Sequence, residues 1–258
     1  MRPLRQVHPG VPARRPLATG MIREHFEFRQ TIVTILADEP RQIEAAKSGI
    51  LAARQEVERQ IAGDPYFSAT LEPYTPKNPT NVPASMARAA AEAGVGPMAA
   101  VAGAIARAGV EAMVEAGAAF GLVDNGGDIA LVSDREVTIG IYAGASPLSG
   151  RFAFLIPPSE EILGICTSSA TVGPSISFGI ADAVTVISPD VAAADAWATA
   201  ICNRITVDDT SVLDDLEGTS IRGVLAVIGD AVIRWGDLPP VMRARVDERL
   251  ITAGRSPV

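Results

Sequence analysis

The sequence predicts an α+β protein, and three observations carry that expectation. An alternating run that turns β-branched stands near the N-terminus, at residues 23–36. Two helix-periodic stretches follow it, at 40–62 and 97–117. From residue 120 onward, short apolar runs punctuated by Gly, Ser and Asp recur with a single helical stretch inserted among them. Strands grouped apart from helices, rather than alternating with them, mark α+β and not α/β.

Taken in order, REHFEFRQTIVTIL (23–36) reads as one or two strands. From Pro40 to residue 62, Ile43, Ala46, Ile50, Ala53, Val57 and Ile61 recur at spacings of three and four, and Gly63 follows as a stop. The Pro-rich stretch 64–85 reads as a long ordered loop or crossover. A short helix then runs to Ala93, a glycine break spans Gly94–Gly96, and a longer helix starts at Pro97, where a missing N–H costs nothing. Ala99, Ala100, Ala102, Gly103, Ala104 and Ala106 strip this helix of bulk. Since Gly103 costs roughly 1 kcal/mol against Ala in a helix interior, its benefit should be close approach by another backbone or by a flat ligand. Strands are expected at 120–124, 128–133 and 136–143, forming an antiparallel meander, then at 151–156 and twice or more within 164–188. A helix from Pro189 to about Ile205 has Ser188 as its expected N-cap and Asp190 near the positive end of its dipole. Two strands around Gly229-Asp230 and a last helix over 239–252 complete the chain. Residues 1–20, rich in Arg and Pro, read as an N-terminal arm, and 21–258 as a single domain.

The 258 residues, 48% of them apolar, suffice for one sizeable core. A net charge of −8 with no basic cluster argues against nucleic acid as the main partner. Cys166 and Cys202 sit in apolar sequence and make no disulfide framework. The longest apolar stretch is broken by Arg107, Glu111 and Glu115, so no membrane span is expected and the expected location is cytoplasmic. A homodimer is expected from apolar edges at 97–117 and 219–235.

Three segments hold chemistry-bearing residues. In GLVDNGGDIALV (121–132), Asn125, Gly126 and Gly127 lie between Asp124 and Asp128. This is either an ordinary turn with polar shoulders or a backbone left bare for a ligand. In GICTSSATVGPS (164–175), Thr167, Ser168, Ser169, Thr171 and Ser175 offer hydroxyls with little bulk, suited to phosphate contacts or to a small-residue hairpin packed on a helix. In the helix after Ser188, Asp195 and Thr199 stand four residues apart on one face, beside the apolar stripe. They are either oxygen ligands for a hard cation such as Mg²⁺ or a flank of ordinary polar residues. A Ser or Cys nucleophile would need a base, and the two histidines, His8 and His25, are remote in sequence.

Together VGPMAAVAGAIA (95–106), VDNGGDI (123–129), IYAGASPLS (141–149), GICTSSATVGPSISFGIADAVTV (164–186) and ADAWATAICNRI (194–205) resemble the UPF0280 family, the uncharacterised branch of the ApbE-like superfamily that includes the FAD:protein FMN transferases. The resemblance spans about 22–235 and implies an ApbE-like (T-fold-like) fold of mostly antiparallel sheets with packed helices. It implies a flavin nucleotide, FAD or FMN, lying along Asn125, Gly126, Gly127 and Asp128 and reaching Thr167, Ser168 and Ser169. It implies Mg²⁺ at Asp195 and Thr199, the D-A-x-x-T segment. The chain departs from the transferases at their His-x-x-D-P-x-T-G segment. It carries ATVGPSISFGIAD there, with Pro174 where relatives of the branch often place His. Two functions follow from the resemblance: a flavin nucleotide-binding protein with residual FAD pyrophosphate or FMN-transfer chemistry, or a non-catalytic accessory protein with an unidentified protein partner, in sulfur amino-acid (homocysteine) metabolism.

Overall fold

The computed structural model describes residues 20–171, 179–246 and 252. Strands β1 (Ile22–Phe28) and β2 (Thr31–Ala37) form a hairpin. Helix α1 (Pro40–Gly63) opens on a capping box, in which Glu39 and Gln42 satisfy each other's backbone N–H, with Pro40 at the first position. A short helix α2 (Tyr66–Ala69) follows, then α3 (Asn81–Ala93), which ends on Gly94 at φ 73°. A 3₁₀ turn (Pro97–Ala100) feeds α4 (Val101–Glu115).

Nine strands, one α-helix and a 3₁₀ helix (Ser211–Leu216) between α5 and β9 complete the described chain. The strands and the α-helix are β3 (Gly121–Asn125), β4 (Asp128–Ser133), β5 (Val137–Ile141), β6 (Phe152–Ile156), β7 (Ser159–Ser168), β8 (Ala183–Ser188), α5 (Val191–Arg204), β9 (Gly223–Ile228), β10 (Ala231–Gly236) and β11 (Val241–Arg243). Eight strands make one antiparallel sheet in the order β1-β2-β3-β4-β7-β8-β9-β10, and β11-β6-β5 make a second.

The molecule has three layers. Helices α1, α3, α4 and α5 cover one face of the large sheet, where Val123, Ala130, Cys166, Val186 and Val224 point. The small sheet covers the other, its Ile141, Phe154 and Ile156 meeting Leu122, Leu131, Ile165, Ile187 and Leu225. Coverage on both faces explains why β8 is buried at every position, whereas β10, at the sheet edge, alternates half-buried and exposed.

Helix packing explains the small residues. A Cβ on Gly103 would lie 2.6 Å from the Val191 carbonyl oxygen and 2.9 Å from Asp195 Cβ. One on Gly49 would lie 2.5 Å from the Ala108 carbonyl. Of the two alternatives for Gly103, approach of another backbone is the one observed: α4 lies directly on α5. By length and composition Pro97–Glu115 is apolar enough to cross a membrane. In this fold it is packed against α1, α5, β3 and β4.

Several other expectations are corrected. Helix α3 begins at Asn81, inside the stretch read as a loop, because Pro83 falls in its first turn, where no N–H is required. Strand β5 leaves the meander for the small sheet, and β4 pairs with β7 instead. The N-cap of α5 is Asp190, whose carboxylate accepts the Ala193 N–H at 3.2 Å. Ser188 Oγ accepts the Asp190 N–H instead. Residues 241–243, expected to be helical, form β11 against β6. Residues 247–251 of that expected helix, most of the N-terminal arm, and Gly173, Pro174 and Ser175 lie outside the described residues.

Asp190 also holds Arg88 of α3 at 2.6 Å, across a partly exposed pair. Asp190→Ala is expected to cost about 1 kcal/mol, nearly all of it from the lost cap, since exposed ion pairs add little. Adding Arg88→Ala to that variant should then change the denaturation midpoint hardly at all.

Candidate functional site

The β3–β4 hairpin turns on two residues, Gly126 at φ 70° and Gly127 at φ 104°, with Asn125 paired to Asp128. A two-residue turn with both φ positive is type I′, so the hairpin itself requires two residues free to adopt that region. Around it, three contacts fix the turn. Gly127 N–H donates to Asp124 Oδ1 at 2.9 Å, Thr167 N–H donates to the Gly127 carbonyl at 3.2 Å, and Asn125 Nδ2 donates to the Ala102 carbonyl at 3.1 Å. Ala102 is in the first turn of α4. Above Gly126 the space is open, with nothing within 4 Å of where a Cβ would stand.

Asp195 reaches the same helix end. Its Oδ2 accepts the Gly103 N–H at 2.8 Å, so α5 caps α4 with a carboxylate. Asp195 is only 8% exposed, and burial raises its pKa to about 7, with the Gly103 and Ala102 N–H groups opposing the rise. Asp128 is raised well above the ordinary carboxylate range, first by burial, then by repulsion from Asp195 and Asp124. The Thr167 N–H and the Cys166 thiol oppose that shift. Burial and the same two carboxylates, Asp128 and Asp195, also push up the Cys166 thiol. No basic side chain contributes to the shift of either Asp128 or Asp195.

The alternation of strand side chains divides the candidates. Asn125, Asp128, Cys166 and Ser168 are cross-strand neighbours or lie two residues apart along a strand, and face the helices. Asp124 and Thr167 face the small sheet. There Thr167 Oγ1 pairs with Thr185 Oγ1 at 2.9 Å, so only its backbone N–H serves the turn. Ser169 Oγ accepts the Thr171 N–H at 3.0 Å in a local turn. Thr199, one helical turn beyond Asp195, is half-buried. The structure thus gathers Asn125, Gly126, Gly127, Asp128 and Asp195 at the start of α4 and sends the Thr167 hydroxyl to the far face. Cys166, at Asp128, is a member of the cluster that its apolar sequence context concealed. Among the described residues no group of three or more His, Cys, Asp or Glu side chains is arranged to hold a metal. A groove of about 460 Å³ lined by Arg59, Tyr74 and Lys77 lies at the end of α1, and none of the candidates lines it.

The donor set suits a hard cation. The two carboxylates, Asp128 and Asp195, are oxygen ligands, and Mg²⁺ commonly takes one or two carboxylates and fills its octahedron with water and phosphate oxygens.

The family model described as "AbpE bacteria" matches residues 14–217. A UPF0280 protein of Methanoculleus marisnigri is 89% identical over 234 residues, covering 91% of this chain and 96% of that protein. A UPF0280 protein of Methanosphaerula palustris is 58% identical over 234 residues, covering 91% and 99%. Among solved structures, the apo flavinyl transferase ApbE of Pseudomonas stutzeri aligns at a TM-score of 0.48 and 14% identity over 91% of this chain and 98% of that one. The flavin transferase ApbE from Vibrio cholerae aligns at 0.48 and 14% over 84% and 96%.

Proposed function

The chain belongs to the UPF0280 family of ApbE-like proteins, and from that premise we propose that it binds a flavin nucleotide, FAD or FMN, together with Mg²⁺ at the start of α4. One observation carries this reading: half-buried Asp128 and buried Asp195 lie close enough for Asp195 to push up the Asp128 pKa, no basic side chain contributes to either shift, and the pair stands beside a glycine turn with open space above Gly126. A bound divalent ion would replace the protons these groups otherwise favour. A nucleotide phosphate would meet two carboxylates here, so its binding has to depend on the metal that screens them. Asp128, Asp195 and Thr199 would hold Mg²⁺, which supplies charge neutralisation for a diphosphate. Gly126 and Gly127 would let the nucleotide lie against the backbone, and the α4 N-terminus adds a favourable dipole.

The reading is binding and not transfer. His25, the one histidine among the described residues, is on the edge strand β1 and pairs with Glu27 at 3.1 Å. The segment that carries the transferase histidine holds Pro174 in this sequence.

Titration of the purified protein with FAD, followed by flavin fluorescence, should show quenching with Mg²⁺ and little without it. Gly126→Asn separates the turn from the ligand. Asn tolerates a positive φ, so stability should change by no more than roughly 0.5 kcal/mol. The new side chain would stand where the nucleotide lies, and affinity should fall about tenfold or more. Unchanged affinity would leave the glycines with the hairpin alone. No binding by the parent protein at high micromolar FAD would defeat the flavin reading and direct work to a protein partner.

A further inference from the structure

We propose that Thr252 is a positioning residue for the Gly126–Gly127 turn, and thereby, resting on the reading above, for the nucleotide site. Thr252 stands 128 residues beyond Asp124 in sequence, yet its Oγ1 donates to Asp124 Oδ2 at 2.6 Å. The same hydroxyl lies 2.8 Å from Thr34 Oγ1, and Thr34 is the cross-strand partner of Asp124. Thr252 and Thr34 are 5% and 3% exposed. Asp124 thus has one oxygen on the turn, at Gly127 N–H, and the other on Thr252.

Burial raises the pKa of Asp124, and the Thr252 hydroxyl and Gly127 N–H hold it down. A half-buried carboxylate with one donor removed either takes a proton or rotates toward water. Both outcomes weaken its hold on Gly127. The turn depends on that hold more than most would, because two adjacent glycines have the greatest backbone freedom to lose. Asn125 anchors the front of the hairpin to α4, and Thr252, through Asp124, anchors the back. The two anchors are on opposite faces of the sheet, so neither can stand in for the other.

The test compares Thr252→Val, which is nearly isosteric and has no donor, with Thr252→Ser, which keeps the hydroxyl. Backbone amide exchange at Gly127 is read by NMR, with Val224 and Ala226 of β9 as internal references. The expected result is exchange at Gly127 about tenfold faster or more in Thr252→Val, unchanged exchange in β9, and recovery in Thr252→Ser. Unchanged Gly127 exchange, or an equal acceleration at all three positions, overturns the proposal. Mg²⁺-dependent FAD affinity is measured alongside. If the parent protein binds FAD, Thr252→Val should weaken it about tenfold, and equal affinity with a loosened turn would overturn the link to the ligand. If the parent protein binds no FAD, the flavin reading fails while the exchange data still decide the anchoring.

Discussion

Replacing Asp195 with Asn is expected to raise the melting temperature at pH 8 and, in the same molecule, to abolish the response to Mg²⁺. The two effects have one origin. Asp195 in the fold has a pKa of about 7, against an unperturbed value of 3.8. Between those values the folded state holds a proton that the unfolded chain has released. Stability from this group is therefore present at low pH and falls as pH rises from about 4 to about 7, and the full penalty of a buried charge persists above that. Asp128, also raised, adds to the same slope. An Asn oxygen can still accept the Gly103 N–H, so the capping of α4 survives while the charge disappears. The gain should be about 1–2 kcal/mol at pH 8, roughly 2–8 °C for a chain of this size, and should vanish near pH 4. Asp195→Ala should do the reverse, costing about 2 kcal/mol, because it leaves the Gly103 N–H unpaired in a buried place. Parent protein at pH 8 should gain stability on addition of Mg²⁺, and Asp195→Asn should not. Thermal melts of the three proteins at pH 5 and pH 8, with and without Mg²⁺, check the whole set. A parent protein that melts lower at pH 5, with Asp195→Asn unchanged from it at pH 8, would remove the buried-charge account.

Most of the fold was legible because its signals are local. The spacing Ile43, Ala46, Ile50, Ala53 and Val57 faces the core as read, and Gly94 ends α3 with a positive φ. What the sequence concealed is non-local. The run 136–143 carries a strand pattern, but nothing within it says that its partner is β6 rather than β4. Residues 241–243 could be helical by composition, and become a strand only because β6 offers an unpaired edge.

The site was legible in its parts and not in its geometry. Asp124 and Asp128 read as equivalent shoulders of a turn. With Gly126 and Gly127 as the loop, Asn125 opposes Asp128, so Asp124 is one residue out of register and points to the other face. The same period of two sends the Thr167 hydroxyl away from Asp128 while its neighbours Cys166 and Ser168 face the helices. Strand alternation alone could have revealed this, given the turn's centre. Asp195 was found because it borders an apolar stripe, but its role in capping another helix depends on a contact 92 residues away. Thr252 had no signal at all.

Gly103→Ala is expected to destabilise the protein, against the usual sign of that substitution. In an exposed helix interior, Ala improves on Gly by about 1 kcal/mol. Gly63, in the last turn of α1 with nothing within 4 Å of its absent Cβ, should show that gain in part. At Gly103 the added carbon meets the Val191 carbonyl at 2.6 Å and Asp195 Cβ at 2.9 Å. The first of these is backbone and cannot rotate aside, so α4 and α5 must part. Overpacking of this kind costs about 1–3 kcal/mol, which exceeds the propensity gain and leaves a net loss of roughly 1–2 kcal/mol. The separation also lengthens the 2.8 Å hydrogen bond from Gly103 N–H to Asp195. Losing a donor that favours the charged carboxylate drives the Asp195 pKa further up, so Mg²⁺ should bind more weakly even to the folded variant. Urea denaturation of Gly63→Ala and Gly103→Ala side by side should give midpoints displaced in opposite directions from the parent. If Gly103→Ala were stabilised as much as Gly63→Ala, α4 and α5 would not be in the direct contact that brings Asp195 to the start of α4.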